Sequence, residues 1–121
     1  MAMASDILTV TVKDVPGAGT VIAVAGEIDR DSRDELRRAA DIALLAGHLR
    51  LILDVGAVTF CDSSGLSFFV DLHRQTQAQG GWLRLAGASP DLRSMLTVTN
   101  LDHLLAVFPT VEQAGQASEQ A

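Results

Sequence analysis

The chain has 121 residues, 48% of them apolar, which is enough for one domain with a real core and too few for two. The formal net charge is −6, so nucleic-acid backbones and anionic lipid surfaces are repelled and neither is an expected partner. No uncharged run approaches the ~20 apolar residues of a membrane span, and the single cysteine excludes an internal disulfide. The opening residues lack the basic and apolar regions of a secretory signal, so the expected location is the cytoplasm.

In chain order, Leu8, Val10 and Val12 alternate with Thr9, Thr11 and Lys13, the pattern of a half-exposed strand. Pro16-Gly17-Ala18-Gly19 is a turn, and residues 20–25 form a near-continuous apolar run. Together they predict an antiparallel hairpin leading into a strand buried on both faces. Gly26-Glu27-Ile28-Asp29 reads as a loop. Ser32 with Glu35 predicts a capping box, opening a helix that buries Leu36, Ala40, Ala43 and Leu44 and stops at Gly47.

Residues 49–55 are a second buried strand, extended by residues 58–61 after a kink at Gly56. Asp62-Ser63-Ser64-Gly65 then opens a helix with Leu66, Phe69, Val70 and His73 along one stripe, ending at Gly80-Gly81. Residues 82–86 are a third strand with Leu83 and Leu85 on one side and Trp82 turned away from them. Ser89-Pro90 starts a short helix, residues 104–108 form a last strand, and Thr110 with Gln113 caps a terminal helix. The strand–helix alternation predicts an α/β fold: a two-layer domain of about five mostly parallel strands, opened by one antiparallel strand, with about four helices. No linker or repeat divides it. One domain is expected over residues 1–121, with its core at about 7–113 and a frayed tail at 114–121.

The Asp-Ser-Ser-Gly turn is the chemically informative feature. It puts two hydroxyls and a carboxylate at a helix N-terminus, where unpaired amides and the helix dipole favour negative charge. Read alone, it is either a helix cap or a phosphoacceptor. Asp29 likewise serves either as a cap or as a partner contact. Phe68 and Leu72 lie off the core stripe; they extend an exposed apolar patch or are covered by the next helix. Cys61 reads as a small buried hydrophobe. Catalysis is not expected: there is no Gly-x-Ser-x-Gly elbow, no base paired with Ser63 and no Gly-rich phosphate loop with a lysine. His48, His73 and His103 lack metal-ligand spacing, and no metal or cofactor is expected.

Three segments carry a resemblance: Gly26-Glu27-Ile28-Asp29; Leu53-Asp54-Val55 leading through Val58-Thr59-Phe60 to Asp62-Ser63-Ser64-Gly65-Leu66; and Gly80-Gly81 before Leu83-Arg84-Leu85. In this order and spacing, over residues 8–113, the chain resembles the STAS family of bacterial anti-sigma factor antagonists. The resemblance implies partner switching. The unphosphorylated protein binds an anti-sigma factor, a serine kinase of the histidine-kinase-like ATPase type, and so frees a sigma factor for transcription. The kinase switches the antagonist off by phosphorylating it, and a serine phosphatase restores it.

Carried over by position, Ser63 is the phosphoacceptor. Asp62, Ser64 and Gly65 complete the phosphorylation loop, and Gly26, Asp29, Leu66 and Phe68 are partner-binding positions. Gly65 is expected to leave room for a partner backbone or nucleotide. The alternative is a non-catalytic scaffold or sensory STAS module without a phosphorylation cycle at Ser63.

Overall fold

The computed structural model describes residues 2–4 and 7–117. Six strands form one sheet in sequence order: β1 (Ala2–Ala4), β2 (Leu8–Val15), β3 (Gly19–Ile28), β4 (Arg50–Cys61), β5 (Trp82–Ala86) and β6 (Ala106–Phe108). The pairs β1–β2 and β2–β3 are antiparallel, and β3, β4, β5 and β6 run parallel. The connections from β3 onward carry α1 (Arg33–Leu45), α2 (Ser63–Ala78) and α3 (Pro90–Val98), and α4 (Val111–Gln116) closes the described chain. The α/β reading is correct; the short edge strand β1 adds a sixth strand to the expected five.

Strand alternation explains the layers. Ile22 and Val24, Leu51, Leu53 and Val55, and Leu83 and Leu85 all point to one face. Leu36, Ala39, Ala40 and Ala43 of α1, Leu66, Phe69 and Leu72 of α2, and Leu92 and Leu96 of α3 pack onto them as one core. A buried leucine or phenylalanine contributes about 1.5–3 kcal/mol, so this cluster dominates the stability. Residues of opposite parity, Val21, Ile52 and Ala86, meet Ala114 of α4 on the reverse face. There Arg84 lies with its guanidinium 3.8 Å from the Trp82 ring centre and donates to the Ala114 and Ala117 carbonyls. Trp82 is thus a sheet-face residue. α4 extends ordered helix to Gln116, past the expected core limit at 113, because Ala114 is fully buried. Residues 118–121 of the expected tail lie outside the described residues.

Three local expectations change. Gly26 to Ile28 are strand, not loop: the far half of β4 continues alongside them, pairing Glu27 with Phe60 and Ile28 with Cys61. The kink at Gly56 appears as a shift of register, with Ala23 opposite Asp54 but Ala25 opposite Ala57. The last strand is shorter than expected, since Leu101–His103 form a 3-10 turn and β6 begins at Ala106. The caps at Ser89 and Thr110 are as expected, each side chain accepting an amide three residues on. So is the stop at Gly47, where the amides of Gly47 and His48 return to the Leu44 and Ala43 carbonyls.

Candidate functional site

β3 and β4 end side by side at the same edge of the sheet, one turning into α1 and the other into α2. The Asp62 amide donates to the Ile28 carbonyl at 3.1 Å, locking the two turns together. Asp62 is the N-cap of α2. Its Oδ1 accepts the amides of Ser64 (2.9 Å) and Gly65 (3.2 Å) and also the Ser64 hydroxyl. The Ser64 hydroxyl is the chief reason that the Asp62 carboxyl lies below the usual carboxylate range; partial desolvation opposes it, and the amides of Gly65, Ser64 and Arg30 reinforce it. Arg30, in the turn before α1, is a contact the sequence patterns give no hint of.

Ser63 is the first residue of α2 and is exposed. Its hydroxyl makes no hydrogen bond among the described residues. The two adjacent serines are therefore unequal: Ser64 is held by the cap, and Ser63 presents a free hydroxyl at a helix N-terminus beside a fixed carboxylate.

Asp29 caps the other turn. Its Oδ1 accepts the amides of Asp31 (3.0 Å) and Ser32 (2.8 Å), its own amide donates to Ser32 Oγ (2.9 Å), and the Arg33 amide returns to its carbonyl. Ser32 Oγ donates to the Glu27 carbonyl instead of capping. The expected Ser32–Glu35 capping box does not form, and Glu35 Oε2 is buried without a hydrogen bond.

Four positions expected at a partner surface have structural tasks. Gly65 faces inward: a Cβ there would sit 2.6 Å from Cys61 Sγ and 2.9 Å from Ile28 Cγ2. It lets α2 approach the sheet and opens no space toward solvent. Gly26 has φ +108°, and a Cβ would strike the Ile7 carbonyl oxygen, whose backbone also receives the Glu27 amide. Leu66 and Phe68 are buried, Phe68 at 1% exposure, as is Leu72. α1 covers Phe68, with the Arg37 guanidinium 4.8 Å from its ring centre. The alternation of β4 instead turns Phe60 outward, half-exposed beside the inward Cys61. That period-2 signal was available in the sequence.

Among the described residues no base is hydrogen-bonded to the Ser63 hydroxyl. The Asp62 oxygen that faces the turn is taken up by capping. His73 is buried ten residues along the same helix, about 15 Å away. Burial, helped by the Asp62 charge, pushes the Cys61 thiol up to about 12. Among the described residues no group of three His, Cys, Asp or Glu side chains could hold a metal ion. Grooves of about 620 and 710 Å³ lie at the β2–β3 turn and on the reverse face, and neither includes a residue of this site.

Comparison with known proteins agrees with this fold. The sequence profile of the STAS domain matches residues 8–114. The anti-sigma-B factor antagonist of Bacillus subtilis is 32% identical over 87 residues, 71% of this chain and 78% of that one. The crystal structure of an anti-sigma factor antagonist from Mycobacterium paratuberculosis superposes with a TM-score of 0.81 at 28% identity, covering 92% of this chain and 93% of that one. SpoIIAA of Bacillus in its phosphorylated form shares the fold, with a TM-score of 0.69 at 24% identity and coverage of 87% and 95%.

Proposed function

The chain belongs to the STAS domain family, and from that premise we propose that it is an anti-sigma factor antagonist switched by phosphorylation of Ser63. It acts by binding and performs no catalysis of its own. In the unphosphorylated state it holds an anti-sigma factor of the histidine-kinase-like ATPase type in the cytoplasm, releasing a sigma factor. That partner transfers a phosphoryl group to the Ser63 hydroxyl, and a serine phosphatase removes it.

The observation that carries this reading is the inequality of the two serines: Ser64 is bonded to Asp62, while Ser63 is exposed and free. The relatives named above support the partner class, and a structural neighbour exists in a phosphorylated form. A phosphate adds about −1.5 to −2 charges at neutral pH. It arrives beside the Asp62 carboxylate, which is held in its charged form. A partner surface that buries Ser63 must then bury that charge too, and each 1.4 kcal/mol of penalty weakens binding about tenfold. Asp29, whose second carboxylate oxygen is not used in capping, adds to the same negative edge. Release needs no refolding.

The test is a pull-down from the native cell with wild-type, Ser63→Ala and Ser63→Asp baits, followed by mass spectrometry. An ATPase of this type retained by wild type and Ser63→Ala but lost with Ser63→Asp supports the switch. The same partners on all three baits contradict it and favour a scaffold without a phosphorylation cycle.

A further inference from the structure

β4 runs seven residues past its last pairing with β5, which ends at Asp54 opposite Ala86. Over that overhang β3 still pairs on one side, up to Ile28 opposite Cys61. Among the described residues no strand lies on the other side, and the backbone of residues 57–60 has no hydrogen bond outside the pairing with β3. An open groove of about 250 Å³ separates this edge from α3, with Thr59 and Phe60 on one wall and Leu92 and Met95 on the other. Unpaired strand edges of this kind accept an added strand, the backbone giving affinity and the flanking groove giving selectivity.

We infer that this groove takes an extended, basic segment of the regulatory partner as an added strand; the inference rests on the Ser63 reading for the partner's identity. Continuity is the first argument. The edge leads within three residues from Phe60 to Asp62 and Ser63, so a protein seated on Ser63 reaches it. A four-residue strand along residues 58–61 spans about 13 Å. Charge is the second argument. Asp91 on the α3 wall is exposed, Asp62 stands at the end of the edge, and exposed Glu27 pairs with Phe60. Arg93, the cation of α3, lines a different cleft with Leu96 and Thr97. The half-exposed Phe60 supplies an apolar contact for alternate side chains of the incoming strand.

The experiment is a titration of the full-length, 15N-labelled chain with two acetylated hexapeptides, one alternating lysine and valine and the other glutamate and valine, read by NMR and amide exchange. The lysine peptide is expected to shift the amides of residues 58–61 and the first turn of α3, to slow exchange of the edge amides at least tenfold, and to bind at least tenfold tighter than the glutamate peptide. Asp91→Lys should cut that preference at least threefold while the spectrum stays folded. Absence of shifts at millimolar peptide, shifts elsewhere, or equal binding of both peptides would overturn the inference. Protection of the same amides that grows with protein concentration in the absence of peptide would also overturn it, by assigning the edge to a second copy. No kinase is involved, so failure here leaves the Ser63 switch standing, and failure of Ser63 labelling leaves the groove to be judged by this titration.

Discussion

The Asp62 carboxylate accepts the Ser64 hydroxyl as well as the Ser64 amide, and this bond divides two neighbouring serines into a structural one and an available one. The cap thereby holds the start of α2 in place while leaving the Ser63 side chain outside the network. Adding charge to Ser63 need not break the helix it opens.

Removing that cap gives the first prediction. Asp62→Ala leaves the amides of Ser64 and Gly65 and the Ser64 hydroxyl without their acceptor. The expected loss is about 0.5–2 kcal/mol of folding stability, read as a lower midpoint in urea. Ser64→Ala removes only the hydroxyl bond, costs about 1 kcal/mol, and leaves phosphate acceptance at Ser63 intact. Labelling abolished by Ser64→Ala alone would move the acceptor by one residue.

Gly65→Ala tests the inward glycine. The added methyl meets Cys61 Sγ and Ile28 Cγ2 at distances no relaxed contact adopts, so about 1–3 kcal/mol should be lost. Pairing it with Cys61→Ala should recover part of that loss, a non-additive result that marks direct contact. Additive costs would show that the two side chains do not meet.

Phe68 was read from the sequence as a candidate partner contact, and its burial against α1 changes the expectation. Phe68→Ala should cost about 3–5 kcal/mol of stability. A variant as stable as wild type but weakened in partner binding would return Phe68 to the surface.

His73 predicts a pH dependence. Burial is the main cause, and Arg74 a lesser one, of its folded pKa lying below the unfolded value near 6.5. Its Nδ1 is buried without a hydrogen bond. The unfolded chain therefore binds the proton more readily, and the stability held by the neutral ring is full above about pH 6.5 and lost as pH falls below it. Thermal melts from pH 7.5 to 5 should show a falling midpoint, and His73→Phe should flatten that slope. Asp62, whose pKa is also lowered, contributes only at more acidic pH, below its ordinary value near 4.

The element order was legible because strand and helix periods in this chain are clean, and because Ser89-Pro90 and Thr110 use standard caps. The Ser63 turn was legible for the same reason: Asp-Ser-Ser-Gly follows a strand-like run at once. What local pattern could not reveal was tertiary. Ser32 stands at the N-cap position of α1, but its hydroxyl is drawn back to the Glu27 carbonyl in the sheet, and the Asp29 carboxylate holds the Asp31 and Ser32 amides of the turn that precedes the helix. Phe68 falls off the stripe read from the sequence because α2 also buries a face against α1, which no single-helix pattern encodes. Gly65 is small for the sake of Ile28, a residue thirty-seven positions earlier in the chain, and such a cause is invisible until the strands are paired.

The most direct measurement is phosphosite mapping by tandem mass spectrometry on the protein recovered from its native cell. The tryptic peptide of residues 51–74 contains Thr59, Ser63, Ser64 and Ser67 together, so fragment ions must separate them. The account predicts phosphate on Ser63 and none on Ser64, with the phosphorylated fraction absent from the ATPase-bound pool. Phosphate on Ser64 or Ser67 instead, or Ser63 phosphate retained in the bound pool, would contradict it.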